Sequence, residues 1–215
     1  KLFENIDKVS SNNSKTYIET FKLLKSFFIS KKKDIDFDIK NLSEISENLD
    51  RVRKPIKKDL REKGDIPYYG ATGLIDYVKD FIFDEKLLLI SEDGANLLDR
   101  KYPIAFSIEG KSWVNNHAHV LRFKNIELQI YVMFYFNFSD ISNFISGTAQ
   151  PKLNQQKLNS IEIPTPKNEE DLKYFVNKFQ QIHLICSNYN QNINTSSEMY
   201  SNLIKSVLKK EFSYE

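Results

Sequence analysis

Cysteine is almost absent from this sequence, which contains Cys186 and no other. A single cysteine excludes an intramolecular disulfide and a zinc site built from several cysteines, and it fits a reducing compartment. Long apolar runs are also absent, because stretches such as residues 87–90 are far too short to cross a membrane. The N-terminal residues lack the apolar run of a signal peptide. We therefore expect a soluble, cytoplasmic protein that contacts no membrane.

Signatures of several catalytic sites are missing as well. The sequence contains no Gly-x-x-x-x-Gly-Lys-Ser/Thr loop for a nucleotide phosphate and no Asn/Asp-Pro-Pro-aromatic string of the kind that adenine methyltransferases use. His117 and His119 are one residue apart, but no third histidine is near them in the sequence. We interpret both as structural residues. The chain is therefore predicted to have no catalytic residue, no metal site and no bound cofactor.

Aromatic side chains are abundant, with 16 Phe and 11 Tyr in a chain that is 40% hydrophobic. This composition excludes a disordered chain. Short β-type runs separated by turn residues occupy the middle of the sequence, for example at 86–90, 104–108 and 118–123. We predict an α+β fold in three parts: a shorter N-terminal helix within 1–33, a mixed, largely antiparallel β domain at 34–167, and a long coiled-coil-like helix within 168–215.

Both terminal segments have helical periodicity. Aromatic and leucine side chains recur every three or four residues from Tyr17 to Phe28, and the polar run at 10–14 supplies helix caps, so we predict a helix over about residues 15–30. In the last segment, apolar residues alternate three and four positions apart, which predicts a seam that pairs with a second helix, in another chain or another segment. The seam positions are Leu172, Phe175, Phe179, Ile182, Cys186, Tyr189, Ile193, Ser196, Tyr200, Leu203 and Val207.

Positive charge is concentrated at residues 51–63, although the net charge of the chain is only +2. Seven Lys or Arg residues stand there against two acidic residues. Such a segment suits contact with a phosphate backbone, and a solvated basic loop is the alternative interpretation.

Five turn-rich strings follow one another through the middle of the chain. They are IPYYGATG (66–73), LISEDGAN (89–96), GKSWVNNHAHVL (110–121), ISGTAQPKLN (145–154) and LNSIEIPTP (158–166). In this order and spacing they resemble the target-recognition domain of type I restriction-modification specificity subunits. The similarity extends over about residues 41–166, and the helix that follows resembles the conserved spacer helix of that family.

The resemblance implies a domain whose loops read one half of a split DNA target. Asn, Gln, Arg and Lys side chains distinguish base edges by hydrogen bonding, whereas contacts to phosphate give affinity without reading sequence. The candidate loop residues are Tyr69, Gly70, Thr72, Asn96, Arg100, Lys101, Asn115, Asn116, Gln150, Lys152 and Asn154. The candidate phosphate contacts are Arg51, Arg53, Lys54, Lys57 and Lys58.

The resemblance also implies partners. They are double-stranded DNA, a DNA adenine methyltransferase subunit, a restriction and translocase subunit, and a second specificity half paired through the C-terminal helix. S-adenosylmethionine, ATP and Mg²⁺ are expected on the partner subunits. Complete subunits of this family have two recognition domains and this sequence has one. It is therefore interpreted as a half-subunit, as a fragment, or as the C-terminal recognition region of a fused methyltransferase-endonuclease.

Two other functions are compatible with the residues. Asp93, Glu109 and Lys111 resemble the Asp…Glu-x-Lys arrangement that binds Mg²⁺ in many nucleases, although Asp before Gly is also an ordinary turn residue. A scaffold that acts through its long helix and contacts no DNA is the other alternative.

Overall fold

The computed structural model describes residues 2–191, and it describes side-chain surroundings for residues 17–184 and for Cys186. The helices are α1 (Leu2–Lys31), α2 (Leu42–Ile45), α3 (Asn96–Asp99), α4 (Ile126–Phe138), α5 (Gln155–Asn159) and α6 (Glu169–Gln191). The strands are β1 (Phe37–Asn41), β2 (Glu47–Asn48), β3 (Ile66–Gly70), β4 (Gly73–Val78), β5 (Phe83–Asp84), β6 (Leu87–Ser91), β7 (Ala105–Ile108), β8 (Lys111–Val114), β9 (Ala118–Arg122) and β10 (Glu162–Pro166). Single turns of 3₁₀ helix lie at Asp50–Val52, Lys58–Leu60 and Ser142–Phe144.

The described strands form two four-stranded sheets and a ribbon. A central sheet has the order β2-β9-β6-β7, an outer sheet has the order β4-β3-β8-β5, and β1 pairs with β10. Within the described residues every pairing of strands is antiparallel except that of β3 with β8. The predicted α+β class with largely antiparallel strands is confirmed. The three predicted strand runs correspond to β6, β7 and β9.

Strand β6 is buried on both faces, and all four residues from Leu87 to Ile90 are 0% exposed. Because successive side chains of a strand point to opposite faces, they divide between two cores. Leu88 and Ile90 pack with the helices, whereas Leu87 and Leu89 pack with residues of the outer sheet. The central sheet therefore lies between a helical layer and the outer sheet.

The helical layer is an aromatic cluster formed by α1, α4 and α6. The ring of Phe179 on α6 lies 6.0 Å from Phe27 on α1, and 6.0 Å and 5.5 Å from Tyr131 and Phe134 on α4, measured between centroids. Phe175, one turn earlier, also contacts Phe27, at 5.9 Å. Among residues 2–191, no helix is long and apolar enough to cross a membrane.

The N-terminal helix is longer than predicted. Helix α1 begins at Leu2 rather than near residue 15 and has 30 residues, so it is not shorter than the described part of the C-terminal helix, which has 23. The polar run at 10–14 lies inside the helix. Residues 1–33 contain neither Gly nor Pro, and Ser and Asn reduce helix stability far less than those two residues do.

The predicted helix seam divides into two parts. Leu172, Phe175 and Phe179 are buried against α1 and α4 of the same chain, as part of the main core. Of the two predicted kinds of partner, another chain or another segment, these three positions therefore have the second, because their side chains fit between two helices of the same chain. Farther along, Ile182 is half-buried and Cys186 is buried.

The later seam positions are not located by the structure. Tyr189 lies on α6, but its side chain is outside the described surroundings. Ile193, Ser196, Tyr200, Leu203 and Val207 lie outside the described residues. Their pairing with a second helix stays a prediction, as do the domain boundaries at 33/34 and 167/168.

Replacement of Phe179 by alanine should lower the free energy of unfolding by about 3–5 kcal/mol, because it leaves a cavity among α1, α4 and α6. Leu184→Ala is the matched control on the same helix. It removes a side chain that is 58% exposed and should change that free energy by about 0.5 kcal/mol or less. Urea unfolding followed by circular dichroism measures both, and equal losses would contradict the helical core.

Candidate nucleic-acid interface

Four chain segments meet at one end of the two sheets, here called the loop end: residues 70–73, 92–96, 115–117 and 146–154. The segments are joined by short hydrogen bonds. Their donor and acceptor atoms are Ser91 Oγ to Ala71 O (2.6 Å), Glu92 N to His117 O (2.8 Å), Gly94 N to Pro151 O (3.1 Å), Asn115 N to Tyr69 O (3.0 Å) and Leu153 N to Glu92 O (2.8 Å). The loop end is therefore a connected surface built on the ends of β3, β6 and β8 and the start of β9.

The segment from Ser146 to Lys152 forms a closed loop. Ser146 and Lys152 exchange two backbone hydrogen bonds, each 2.8 Å long. Gly147 has a φ of +81°, and a Cβ there would lie 2.6 Å from the carbonyl oxygen of Gln150, so the tight turn requires glycine. Residues 147–150 are exposed. The loop thus presents a short polar tip on a fixed backbone.

Five charged or ionisable side chains form a network beneath this surface: Asp50, Arg53, Glu92, His119 and Lys152. The Arg53 guanidinium donates to Glu92 Oε2 at 2.7 Å and lies 3.4 Å from Asp50 Oδ2. The Lys152 ammonium lies 3.1 Å from Glu92 Oε1. Asp50 Oδ2 is 2.5 Å from Nδ1 of the fully buried His119. We call these five residues the charge network.

Burial and pairing act in opposite directions on the two carboxylates. Burial alone would raise the pKa of Asp50, but the hydrogen bond and positive charge of His119 and the backbone N–H of Val120 lower it overall. Burial would likewise raise the pKa of Glu92, but hydrogen bonds from Arg53 and Lys152 and the charge of His119 lower it. Both carboxylates are therefore ionised at neutral pH and serve as internal counter-charges.

Asp50, Glu92 and His119 also bring potential metal-ligand atoms within 4.8 Å of one another. The positive charge that these carboxylates need is already supplied by Arg53 and Lys152. The ring nitrogen of His119 that faces both carboxylates is Nδ1, and its contact with Asp50 Oδ2 at 2.5 Å leaves no space for an ion between them. We assign the cluster as an ion-pair network rather than a metal site.

Three of the predicted loop residues form hydrogen bonds within the protein. Asn96 exchanges two hydrogen bonds with the backbone of Tyr102, each 3.0 Å long. Asn115 is buried and accepts from His117 N, and Asn154 accepts from Lys157 N at the start of α5. For these residues the structure shows a turn-forming or capping role, and their contact with bases stays a prediction.

Arg100 also has a structural role. Its Nη2 donates to the carbonyl oxygens of Phe136 and Ser139, both at 2.6 Å, where α4 ends. The last carbonyl groups of a helix lack partners within the helix, so the guanidinium caps α4. Burial lowers the pKa of Arg100 to about 10, and the negative charge of Asp140 opposes this effect. The prediction that Arg100 reads bases is not supported by this geometry.

The other predicted loop residues remain on or near the surface. Tyr69 is half-buried and Gly70 is buried at the β3–β4 turn, where a Cβ on residue 70 would collide with Ile75. The exposed candidates are Thr72, Lys101, Asn116, Gln150 and Lys152. Thr72, Asn116, Gln150 and Lys152 belong to the loop end, whereas Lys101 pairs with Asp99 after α3.

The basic segment lies against the outer sheet. Trp113 Nε1 donates to Lys54 O at 2.6 Å, and the Arg61 guanidinium stacks 4.4 Å from the centre of the Tyr68 ring. The Trp113 side chain is half-buried. Arg53 belongs to the charge network, so contact with phosphate is no longer expected of it. The remaining phosphate candidates, Arg51, Lys54, Lys57 and Lys58, are exposed.

The nuclease alternative is excluded by the pairing of β6 with β7. Leu87 pairs with Ile108 and Ile90 with Ala105, so Asp93 follows β6 at one end of the hairpin and Glu109 follows β7 at the other. Glu109 is level with Lys86, five residues before β6 ends at Ser91, so at about 3.4 Å per residue the two carboxylates are separated by roughly 17 Å or more. This is too far to share a Mg²⁺ ion bound at about 2.1 Å. Glu109 instead pairs with Lys86, and Asp93 with His117.

Sequence reasoning did not identify Asp50 or Glu92, the two carboxylates of the charge network. His119 could have indicated a buried polar site, because it lies within the otherwise apolar run 118–121 of β9. A histidine buried in such a strand needs hydrogen-bond partners. The sequence could not show which carboxylate supplies one, because Asp50 is 69 residues away along the chain.

An α+β domain that presents connected polar loops at one end of its sheets, beside a segment with exposed lysines, has the organisation of a DNA-reading module. The family can be stated more narrowly. The chain belongs to the type I restriction modification DNA specificity domain family, whose model matches residues 34–198.

A known protein with a related sequence supports this membership, and two solved structures share the fold. A protein of Haemophilus influenzae strain Rd, named as type I restriction enzyme specificity subunit S.HindORF215P, is 34% identical over 154 residues, which are 72% of this chain and 37% of that protein. The crystal structure of a type I restriction-modification S subunit from M. genitalium has a TM-score of 0.58 at 18% identity, over 96% of this chain and 56% of that one. The HsdS subunit from Thermoanaerobacter tengcongensis has a TM-score of 0.51 at 13% identity, over 99% of this chain and 55% of that one. The chain therefore spans roughly one third to just over half of these relatives.

Replacement of Arg100 by methionine should lower the free energy of unfolding by about 1–3 kcal/mol, because buried carbonyl groups at the end of α4 lose their donor. Lys101→Met is the neighbouring control, since it removes an exposed surface ion pair of little energetic value. Thermal melts of both variants at neutral pH measure the difference. A melting temperature unchanged by Arg100→Met would exclude the capping role.

Acidification should destabilise the fold through Asp50 and Glu92. Because their folded-state pKa values lie below the ordinary values of 3.8 and 4.5, their contribution is present above about pH 4.5 and is lost as the pH falls toward and through the folded-state values. Urea unfolding midpoints between pH 6 and pH 3 should fall steadily. The fall should be shallower in Glu92→Gln, which no longer has that carboxylate, and an equally steep fall would contradict this assignment.

Proposed function

We propose that this chain is a DNA-reading half of a type I specificity subunit. It recognises a short half-site of double-stranded DNA and positions partner subunits there, and it performs no chemistry itself. The observation that carries this proposal is the combination of family membership with a loop end on which Thr72, Asn116, Gln150 and Lys152 are exposed. Loops held by a rigid scaffold are the usual location of binding residues.

Two kinds of DNA contact divide between two surfaces in this proposal. The exposed loop-end side chains approach base edges, where amide and ammonium groups distinguish bases. Arg51, Lys54, Lys57 and Lys58 neutralise phosphates and supply affinity that depends on salt. We assign Lys101 to the residues that contact phosphates, because it lies beyond α3 and outside the loop end.

The partners follow from the same proposal. A DNA adenine methyltransferase subunit, and in the full assembly a restriction and translocase subunit, would carry S-adenosylmethionine, ATP and Mg²⁺. The seam residues that follow residue 191, for which the sequence predicts a helix, would pair with a second specificity half. All these components act on intracellular DNA, so the proposed location is the cytoplasm.

The test of this function is selection of randomised duplex DNA by the purified chain, with and without a methyltransferase subunit, at two salt concentrations. Enrichment of one short motif, sharpened by the partner, is the expected result. Weak binding to all sequences that disappears at higher salt would instead favour a basic surface without specificity, and no binding at all would favour a helical scaffold.

Charge removal at Lys57 and Lys58 should weaken binding equally for all sequences. Because each lost phosphate contact reduces the slope of log affinity against log salt by about 1, the double alanine variant should lower that slope by about 2. The control is the double alanine variant of Lys32 and Lys33, two exposed lysines that follow α1. A slope that the two variants change equally would refute the assignment of phosphate contact to the basic segment.

A further inference from the structure

Lys152 differs from the other exposed candidates because it is held at both ends of its side chain. Its backbone is fixed by two hydrogen bonds to Ser146 and by a β-bridge to Asp93. Its ammonium group lies 3.1 Å from Glu92 Oε1, although its side chain is 53% exposed. A lysine free in solvent loses considerable rotamer entropy when it binds, whereas this one has lost most of that freedom before any ligand arrives.

Glu92, the residue that contacts the Lys152 ammonium group, is itself fixed by contacts inside the protein. The Glu92 side chain is only 12% exposed, and its second oxygen accepts from Arg53 at 2.7 Å. Arg53 also donates to Ala118 O at 2.7 Å and to Asp50 O at 3.1 Å. The carboxylate therefore has one oxygen for an internal arginine and one for the exposed lysine, and it has little freedom to turn away from either.

The charge network closes on the residue next to Lys152. Asp50 accepts from Val120 N at 2.9 Å through one oxygen and faces His119 Nδ1 through the other. On its far side, His119 Nε2 lies 2.7 Å from Leu153 O. The chain of contacts thus runs from the side chain of Lys152 through the network and returns to the backbone immediately after it.

Another lysine–carboxylate pair on the surface shows the contrast. Lys101 lies 3.3 Å from Asp99, but both side chains are about half exposed and the two residues are neighbours in one turn. Such a pair holds a side chain weakly. The partner of Lys152 is instead nearly buried and tied to three elements of the fold. This degree of support is what a precisely placed binding group requires.

We propose that Glu92, supported by Arg53, Asp50 and His119, is a positioning residue that holds the Lys152 ammonium ready for a hydrogen-bond acceptor of duplex DNA. This inference rests on the proposed DNA-reading function. Lys152 touches the DNA, and Glu92 acts through it. An ammonium group has three N–H donors, and the single contact with Glu92 leaves the other two for a base edge or a phosphate.

The experiment is a double-mutant cycle on the whole chain. Lys152→Met, Glu92→Gln and the double variant are compared with the parent protein for dissociation constant on the selected motif, on scrambled duplexes and at several salt concentrations. Thermal melts establish which variants are folded. Glu92→Asp keeps the charge that balances Arg53 while withdrawing the carboxylate from Lys152, so it replaces Glu92→Gln in the cycle if that variant does not fold.

We expect Lys152→Met to weaken binding by about tenfold or more in the parent background and by less than about threefold when Glu92 is already changed. The control is Glu109→Gln, which removes an exposed carboxylate at the other end of the β6–β7 hairpin. In that background Lys152→Met should weaken binding as much as it does in the parent protein. Weakening confined to the selected motif would identify a base edge as the acceptor, and equal weakening on all sequences with a smaller salt slope would identify a phosphate.

Additive effects of the two changes would overturn the positioning role, because Glu92 would then affect only the fold. No effect of Lys152→Met on any duplex would overturn it as well. Failure of the parent protein to select any motif or bind any duplex is a different result, since it would refute the proposed function itself before the cycle is measured.

Discussion

The double-sided burial of β6 is the constraint on which the rest of the structure depends. Its four apolar residues have no exposed surface, and alternate side chains enter two separate cores. A one-residue shift in register would exchange Leu88 and Ile90 with Leu87 and Leu89, and it would place differently shaped side chains in both cores at once. The register of β6 against β7 and β9 is therefore strongly specified, and with it the position of everything that follows Ser91.

That fixed strand ends at the loop end, and its last residues pass directly into the charge network. Glu92 follows β6, His119 lies on β9, and Asp50 and Arg53 belong to the turn that packs beside β9. Buried charges are unfavourable unless each has a partner. The charge network therefore requires exact placement of its side chains, in addition to the register that the two cores require. Polar side chains at this end consequently serve two purposes, because some hold the loops in place and others face outward.

Several residues of the strings that resemble the family have structural roles in this protein. Asn96, Arg100, Asn115 and Asn154 lie in or beside the strings that resemble the family, and their polar groups are used by turns and helix ends. A few neighbours on the same loops remain exposed, and Lys152 alone among them has a buried carboxylate as its anchor. In such a domain, the hydrogen-bond partner of a polar loop residue indicates its role better than its residue type does.

In the helical layer too, the sequence pattern predicts an element but not its packing partner. The heptad spacing of Leu172, Phe175 and Phe179 correctly predicts a helix with an apolar face, but periodicity does not state what covers that face. Helices α1 and α4 of the same chain cover it, and neither contact follows from the spacing of the α6 residues. The segments at the two ends of the sequence thus share a core with the central domain.

The sequence by itself determined the α+β class, the strands near residues 87, 105 and 118, the presence of both terminal helices and the family, because these follow from local periodicity and from motifs read in order. Only the tertiary structure decided which polar residues are exposed, that Asp93 and Glu109 lie apart, and that Asp50, Arg53, Glu92, His119 and Lys152 meet. Such meetings join residues as far as about 100 positions apart, and they depend on strand register and on competition for hydrogen-bond partners, neither of which is visible in local sequence.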